Sequence, residues 1–118
     1  MDSPFCYLTT TGRRTGRAHT IEIWFVAVGR TVYLMAGGRD GADWVRNLMA
    51  DPEATLQVGS ESWAARGRLV EEGTPEDAEA RRLMLAKYST PGAGDLKSWG
   101  RSALVVAINV PGRSESPA

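Results

Sequence analysis

"TIEIWFVAVGRTVYLMA", Thr20 to Ala36, is the stretch whose reading decides the fold. Ile21, Ile23, Phe25 and Ala27 alternate with Thr20, Glu22, Trp24 and Val26, which is the two-residue period of a β-strand. Toward Val28 both sets become apolar, as in a strand covered on two faces. Gly29-Arg30 then reverses the chain into Thr31 to Ala36, so the sequence predicts a hairpin. With Phe5 to Thr10 as a further strand ahead of it, the first third reads as a three-stranded meander.

Moving outward, the period changes. "GGRDGADWVRNLMADP" sets Trp44 beside Leu48 and Val45 beside Met49 at i, i+4, with Asp40 and Asp43 as caps and Pro52 as the stop, which predicts a short helix. Strands are expected at Glu53 to Val58 and Glu61 to Glu71, joined by Gly59-Ser60. Thr74-Pro75-Glu76-Asp77 opens a second helix with a cap, a proline at the first position and early carboxylates. Its apolar stripe is Ala80, Leu83, Met84 and Tyr88. A loop from Ser89 to Gly94 leads through Trp99 to a last strand, Ala103 to Val110. Hairpins outnumber βαβ units, so the expected fold is mainly β (α+β), a small antiparallel barrel with two or three short helices plugging its ends. One domain, residues 1–110, is expected, followed by a mobile polar tail, 111–118.

Acidic and basic side chains balance at 14 each, which argues against bulk-charge binding to nucleic acid or membrane. The distribution is uneven. Met1 to Arg39 holds five arginines against Asp2 and Glu22, whereas Asp51 to Ala80 holds eight carboxylates against Arg66 and Arg68. Cys6 is the only cysteine, so an internal disulfide and a thiolate cluster are excluded, and a cytoplasmic setting is expected. The start lacks a signal-peptide pattern and no apolar run reaches the length of a membrane span.

The chemistry is bounded by elimination. Nucleophile systems that need histidine have only His19, which reads as a polar edge residue or an anion contact. One His and one Cys do not make a usual zinc or iron set, so no metal is expected. An enzyme of this composition needs an organic cofactor for its reactive electrons. Tyr33 and Tyr88 are conceivable pocket hydroxyls without an assigned role.

Two segments can hold such a ligand. In "TTTGRRTGR", three guanidinium groups share one turn, and Gly12 and Gly16 are expected to turn backbone N–H groups outward, a suitable seat for a phosphate or carboxylate tail. A solvated hairpin tip whose arginines guard a sheet edge is the competing reading. In "AGGRDGADW", Gly37 and Gly38 leave a bare strand end that a flat ring can approach; the alternative is a flexible connection before a capped helix. The glycine order is not that of a dinucleotide fingerprint. Trp44 and Trp99 are the aromatics placed to line a pocket, Trp24 and Trp63 belonging to the core or a subunit interface.

Together, "YLTTTGRRTGRAHTIEIWF", "VYLMAGGRDGADWVRNLMADPEATLQVG" and "SWAARGRLV" resemble the deazaflavin-dependent nitroreductase family over about Tyr7 to Leu69. The resemblance implies a split β-barrel related to the flavin-mononucleotide-binding oxidases, and hydride transfer from reduced coenzyme F-420, an 8-hydroxy-5-deazaflavin, to nitroaromatics, quinones or activated alkenes. It puts Arg13, Arg14, Thr15, Gly16 and Arg17 near the cofactor's anionic tail. It puts Gly37, Gly38 and Arg39 against the deazaflavin ring, with Trp44 and Asn47 on the helix behind. Gly37-Gly38-Arg39 stands where many relatives carry a lysine. The barrel is expected to begin a few residues after Met1, without the relatives' N-terminal helix, so that a wall of the substrate pocket is either missing or supplied by a second subunit, and a homodimer paired through Trp24 to Val26 is expected. Flavin mononucleotide (FMN) on the same barrel, or a non-catalytic deazaflavin carrier, are the alternatives.

Overall fold

The computed structural model describes residues 3–88 and 102–112. The expected loop from Ser89 to Gly94, Trp99 and residues 113–118 of the expected mobile tail lie outside the described residues. The strands are β1 (Cys6–Thr11), β2 (Ala18–Ile23), β3 (Val26–Val28), β4 (Thr31–Ala36), β5 (Glu53–Val58), β6 (Glu61–Leu69) and β7 (Leu104–Asn109). A 3₁₀ turn (Arg39–Gly41) runs into α1 (Asp43–Ala50), and α2 is Pro75–Tyr88.

The strands form one antiparallel sheet in the order β2-β1-β5-β6-β7-β4-β3. Its edge strands, β2 and β3, are separated in sequence only by Trp24 and Phe25. Ile23 and Val26 are three residue steps apart, about 11 Å at most, so the ends of the two edge strands lie close together and the sheet has to curl. The result is the expected split antiparallel barrel, present as a curled half-barrel with two α-helices.

This corrects the meander. Thr20 to Val28 is not one strand: it breaks at Trp24-Phe25, where the chain passes from the β1 partner to the β4 partner. The break is held by α2. The Tyr88 hydroxyl accepts a hydrogen bond from Phe25 N–H (2.9 Å) and donates to the Pro4 carbonyl (2.7 Å), and Lys87 Nζ donates to the Phe25 carbonyl (2.8 Å). Backbone groups that leave the ladder thus find side-chain partners instead. The Trp24 ring stacks on Tyr88 at 4.4 Å.

Strands buried on both faces do occur, but they are β4 and β7. Their inner face joins Leu8, Leu56, Val45 and Leu48 in the core beneath α1. Tyr33, Met35, Val105 and Ala107 face outward under Ala80 and Met84 of α2. Gly67 lets α1 lie close to the sheet, because a Cβ there would sit 2.9 Å from a Leu48 methyl.

The α2 start is as expected: Thr74 Oγ1 accepts from Asp77 N–H, and the Asp77 carboxylate accepts from Gly73 N–H, both at 3.2 Å. The α1 start is not. Its N-cap is Ala42, with no side-chain cap bond, so Asp40 and Asp43 do not cap it; Asp43 is the first helical residue and only complements the helix dipole. β6 ends at Leu69, short of Glu71.

Candidate functional site

At one end of the half-barrel, the β1–β2 hairpin and α1 enclose a cleft of about 410 Å³. The hairpin closes on itself. Gly12 N–H donates to the Arg17 carbonyl (2.7 Å), Gly16 N–H to the Gly12 carbonyl (2.8 Å) and Arg17 N–H to Thr15 Oγ1 (3.2 Å). Gly16 supplies the positive φ, 72°, that the reversal needs. The outward backbone nest expected at Gly12 and Gly16 is therefore not formed, since a turn this tight consumes those N–H groups itself.

The arginines divide into two kinds. Arg13 is turned onto α1: its N–H and its guanidinium both donate to Asn47 Oδ1 (3.2 and 2.9 Å), and the guanidinium pairs with Asp43 at 3.2 Å. Asn47 is buried and donates to the buried Thr10 hydroxyl at 3.3 Å, so its side-chain hydrogen bonds among the described residues run between helix and hairpin. Arg14 and Arg17 are exposed and carry no side-chain partner among the described residues.

Arg13, Arg14, Thr15, Trp44 and Asn47 therefore meet in the cleft, with Asp43 and Ile21. Gly16 and Arg17 belong to the same hairpin but do not line it. Gly37, Gly38 and Arg39 do not line it either. Gly38 has φ −79°, and a Cβ there would meet Ala42 at an ordinary 3.6 Å, so no backbone requirement for glycine exists at that point. The positive φ falls on Arg39, at 54°, whose guanidinium is committed to the Glu72 carboxylate and the Ser102 carbonyl.

Thr10, Asp43 and Ile21 of the cleft were not named as site residues from the sequence. For Thr10 and Ile21 the signal is the strand register: Thr10 pairs with His19 and Leu8 with Ile21 across β1 and β2. Thr10, His19 and Ile21 all face the cleft on these paired strands.

Tyr33 and Tyr88 do not line the cleft. Tyr33 donates to Glu76 at 2.6 Å, and burial together with that carboxylate pushes its pKa up to about 12. Burial likewise raises Tyr88, and holds the Cys6 thiol up at about 12. Among the described residues no group of His, Cys, Asp and Glu is placed to hold a metal ion, and no helix is long and apolar enough to cross a membrane.

Solved structures share this architecture. The heme storage protein HutZ of Vibrio cholerae superposes with a TM-score of 0.75 at 13% identity, over 92% of this chain and 82% of that one. An F420-H2 dependent reductase superposes at 0.72 and 21% identity, over 92% and 96%. A protein described as a domain-swapped dimer gives 0.72 and 21%, over 92% and 81%. At these identities the likeness concerns the fold alone. The model of the F420H(2)-dependent quinone reductase family matches residues 1–111, and the chain belongs to that family.

Proposed function

We propose that the protein transfers a hydride from reduced coenzyme F-420 to a small electrophilic acceptor, a quinone, a nitroaromatic or an activated alkene. The observation that carries this reading is the division among the hairpin arginines: Arg13 is spent on fixing the hairpin to α1, while Arg14 and Arg17 stand exposed beside the cleft with no side-chain partner among the described residues. Unpaired guanidinium groups at a pre-fixed turn fit an anionic cofactor tail. The solvated-tip alternative gives no reason for Asn47 to be buried in clamping that tip.

The bound deazaflavin supplies the two-electron chemistry. The chain's own work is binding and orientation. Arg14 and Arg17 hold negative charge, Asn47 and Arg13 set the hairpin's position, and the half-buried Trp44 with Ile21 offers apolar surface beside it. Gly37 and Gly38, exposed at the end of β4, remain the place where a ring extending out of the cleft can approach bare backbone.

Fluorescence titration with oxidised and reduced F-420, followed by anaerobic oxidation of the reduced form by a panel of the three acceptor classes, tests the proposal. Binding and turnover of at least one class are expected. Binding with no turnover across the panel makes the protein a carrier, and no binding ends the reading altogether.

We assign a homodimer to the same function, on different ground from that of the sequence. Phe25 and Val26 are buried within the protomer while Trp24 stays 40% exposed, so of the expected interface at Trp24 to Val26 only Trp24 is left to meet a partner. The edge strand β2, exposed or half-buried along its length, is left as the surface needing a partner. Light scattering at micromolar protein should give twice 12.8 kDa, and a clean monomer removes the proposal.

A further inference from the structure

We infer that His19 is a proton-linked anion contact: the imidazole takes up one proton from solvent as a ligand oxyanion seats beside Arg14. The inference deepens the proposed function, resting on its reading of the hairpin as an anion site, and adds a regulated affinity to it.

The geometry comes first. His19 lies across from Thr10 in the β1–β2 register and lines the cleft. Its ring edge rests against the bare Cα of Gly12: a Cβ there would be 2.7 Å from Nε2, 2.8 Å from Cδ2 and 3.1 Å from Thr15 Oγ1. Glycine at position 12 therefore makes the room in which an imidazole and a hydroxyl converge. The His19 side chain has no hydrogen-bond or ion-pair partner among the described residues.

The charges facing it are few. The hairpin turn presents Arg13, Arg14 and the bare Gly12, α1 presents Asp43, and β1 presents only the uncharged Thr10. Arg13 and Asp43 are paired with each other at 3.2 Å. An incoming oxyanion thus meets one free guanidinium, a hydroxyl and an imidazole whose charge is set by pH. A negative group within about 4–6 Å favours imidazolium over imidazole, and the linkage is reciprocal: protonation tightens binding by the factor by which binding favours protonation. A tenfold difference in affinity corresponds to a one-unit displacement of the titration.

His19 is the only histidine, which makes the test clean. Calorimetry of F-420 binding in buffers of different ionisation enthalpy measures proton uptake, and the same titrations of His19→Gln subtract any proton taken up by the ligand itself. Between pH 8 and pH 5.5 the wild type should gain about tenfold more affinity than His19→Gln, with uptake of up to one proton that the variant lacks. Equal pH dependence in the two proteins overturns the inference while leaving the proposed function standing. A second measurement needs neither the variant nor the cofactor. The His19 ring resonances of the wild type are titrated with and without sulfate, a dianion that does not itself titrate in this range. A midpoint moved upward by sulfate supports the inference even if F-420 fails to bind, in which case the cofactor assignment falls alone. An unmoved midpoint overturns it.

Discussion

Three arginines in one turn look equivalent as letters, and the structure gives them different tasks. Arg13 bonds Asn47 and Asp43, so its loss leaves the buried Asn47 short of partners as well as removing a charge. A buried group left unsatisfied costs about 1–3 kcal/mol. Arg13→Ala is therefore expected to lower the melting temperature and the F-420 affinity together. Arg14→Ala combined with Arg17→Ala touches no partner among the described residues. It should leave the melt where it is, weaken F-420 binding and flatten the dependence of that binding on salt. Thermal melts beside titrations at two ionic strengths separate the cases, and a double variant that binds normally returns Arg14 and Arg17 to solvated surface. The sequence could name all three residues because cations clustered between glycines are visible in it. It could not show which way each turns, because Asn47 lies 34 residues away and the contact is made only when α1 docks.

At the level of elements, a charged cluster ties the start of α2 to the sheet. Glu76 accepts from Nη1 and Nη2 of Arg68, at 2.9 and 2.6 Å, and from the Tyr33 hydroxyl. Arg68, and secondarily Tyr33, hold the Glu76 carboxyl down from 4.5 to about 2. A depressed carboxylate stabilises the fold above its unfolded value, and that contribution is lost as the pH falls through the folded one. Stability should therefore decline between about pH 4.5 and pH 2 in the wild type, and less steeply in Glu76→Gln. The cluster is partly exposed, so the difference will be modest. Melts at half-unit steps through that window, with parallel curves for the two proteins, would show that the pairing contributes nothing. Element identity was legible wherever local chemistry decides it: β5 and the capped start of α2 fall where the alternation and Thr74-Pro75 put them. It failed where the decision is tertiary. Nothing local distinguishes Trp24-Phe25 from strand interior, since both residues favour strands, and the partners that break the strand there sit on α2, more than sixty residues on. Ala42 caps α1 without a side-chain bond because the preceding 3₁₀ turn already delivers the chain in the right direction, which the aspartates around it conceal.

For the whole molecule, the curl of the sheet is what sets β2 opposite α1 and so opens the cleft between them. The curl needs the seam between β2 and β3 to be a stable bend rather than a fraying gap. Tyr88 gives that seam two separable contributions, a hydroxyl bonded to Phe25 and Pro4 and a ring stacked on Trp24. Tyr88→Phe keeps the ring and deletes the hydroxyl, leaving the Phe25 N–H without its side-chain acceptor next to a phenylalanine that is almost wholly buried. The expected loss is about 1–3 kcal/mol in urea or thermal unfolding. Tyr88→Leu should cost more, because the stack goes with the bond. Lys87 still donates to the Phe25 carbonyl in both variants, so the bend should weaken rather than vanish, and hydrogen exchange at the Phe25 amide should quicken ahead of amides in β4 and β7. If Tyr88→Phe unfolds at the wild-type midpoint and the Phe25 amide keeps its protection, the bend is held by the curl of the sheet itself and α2 merely rests against it.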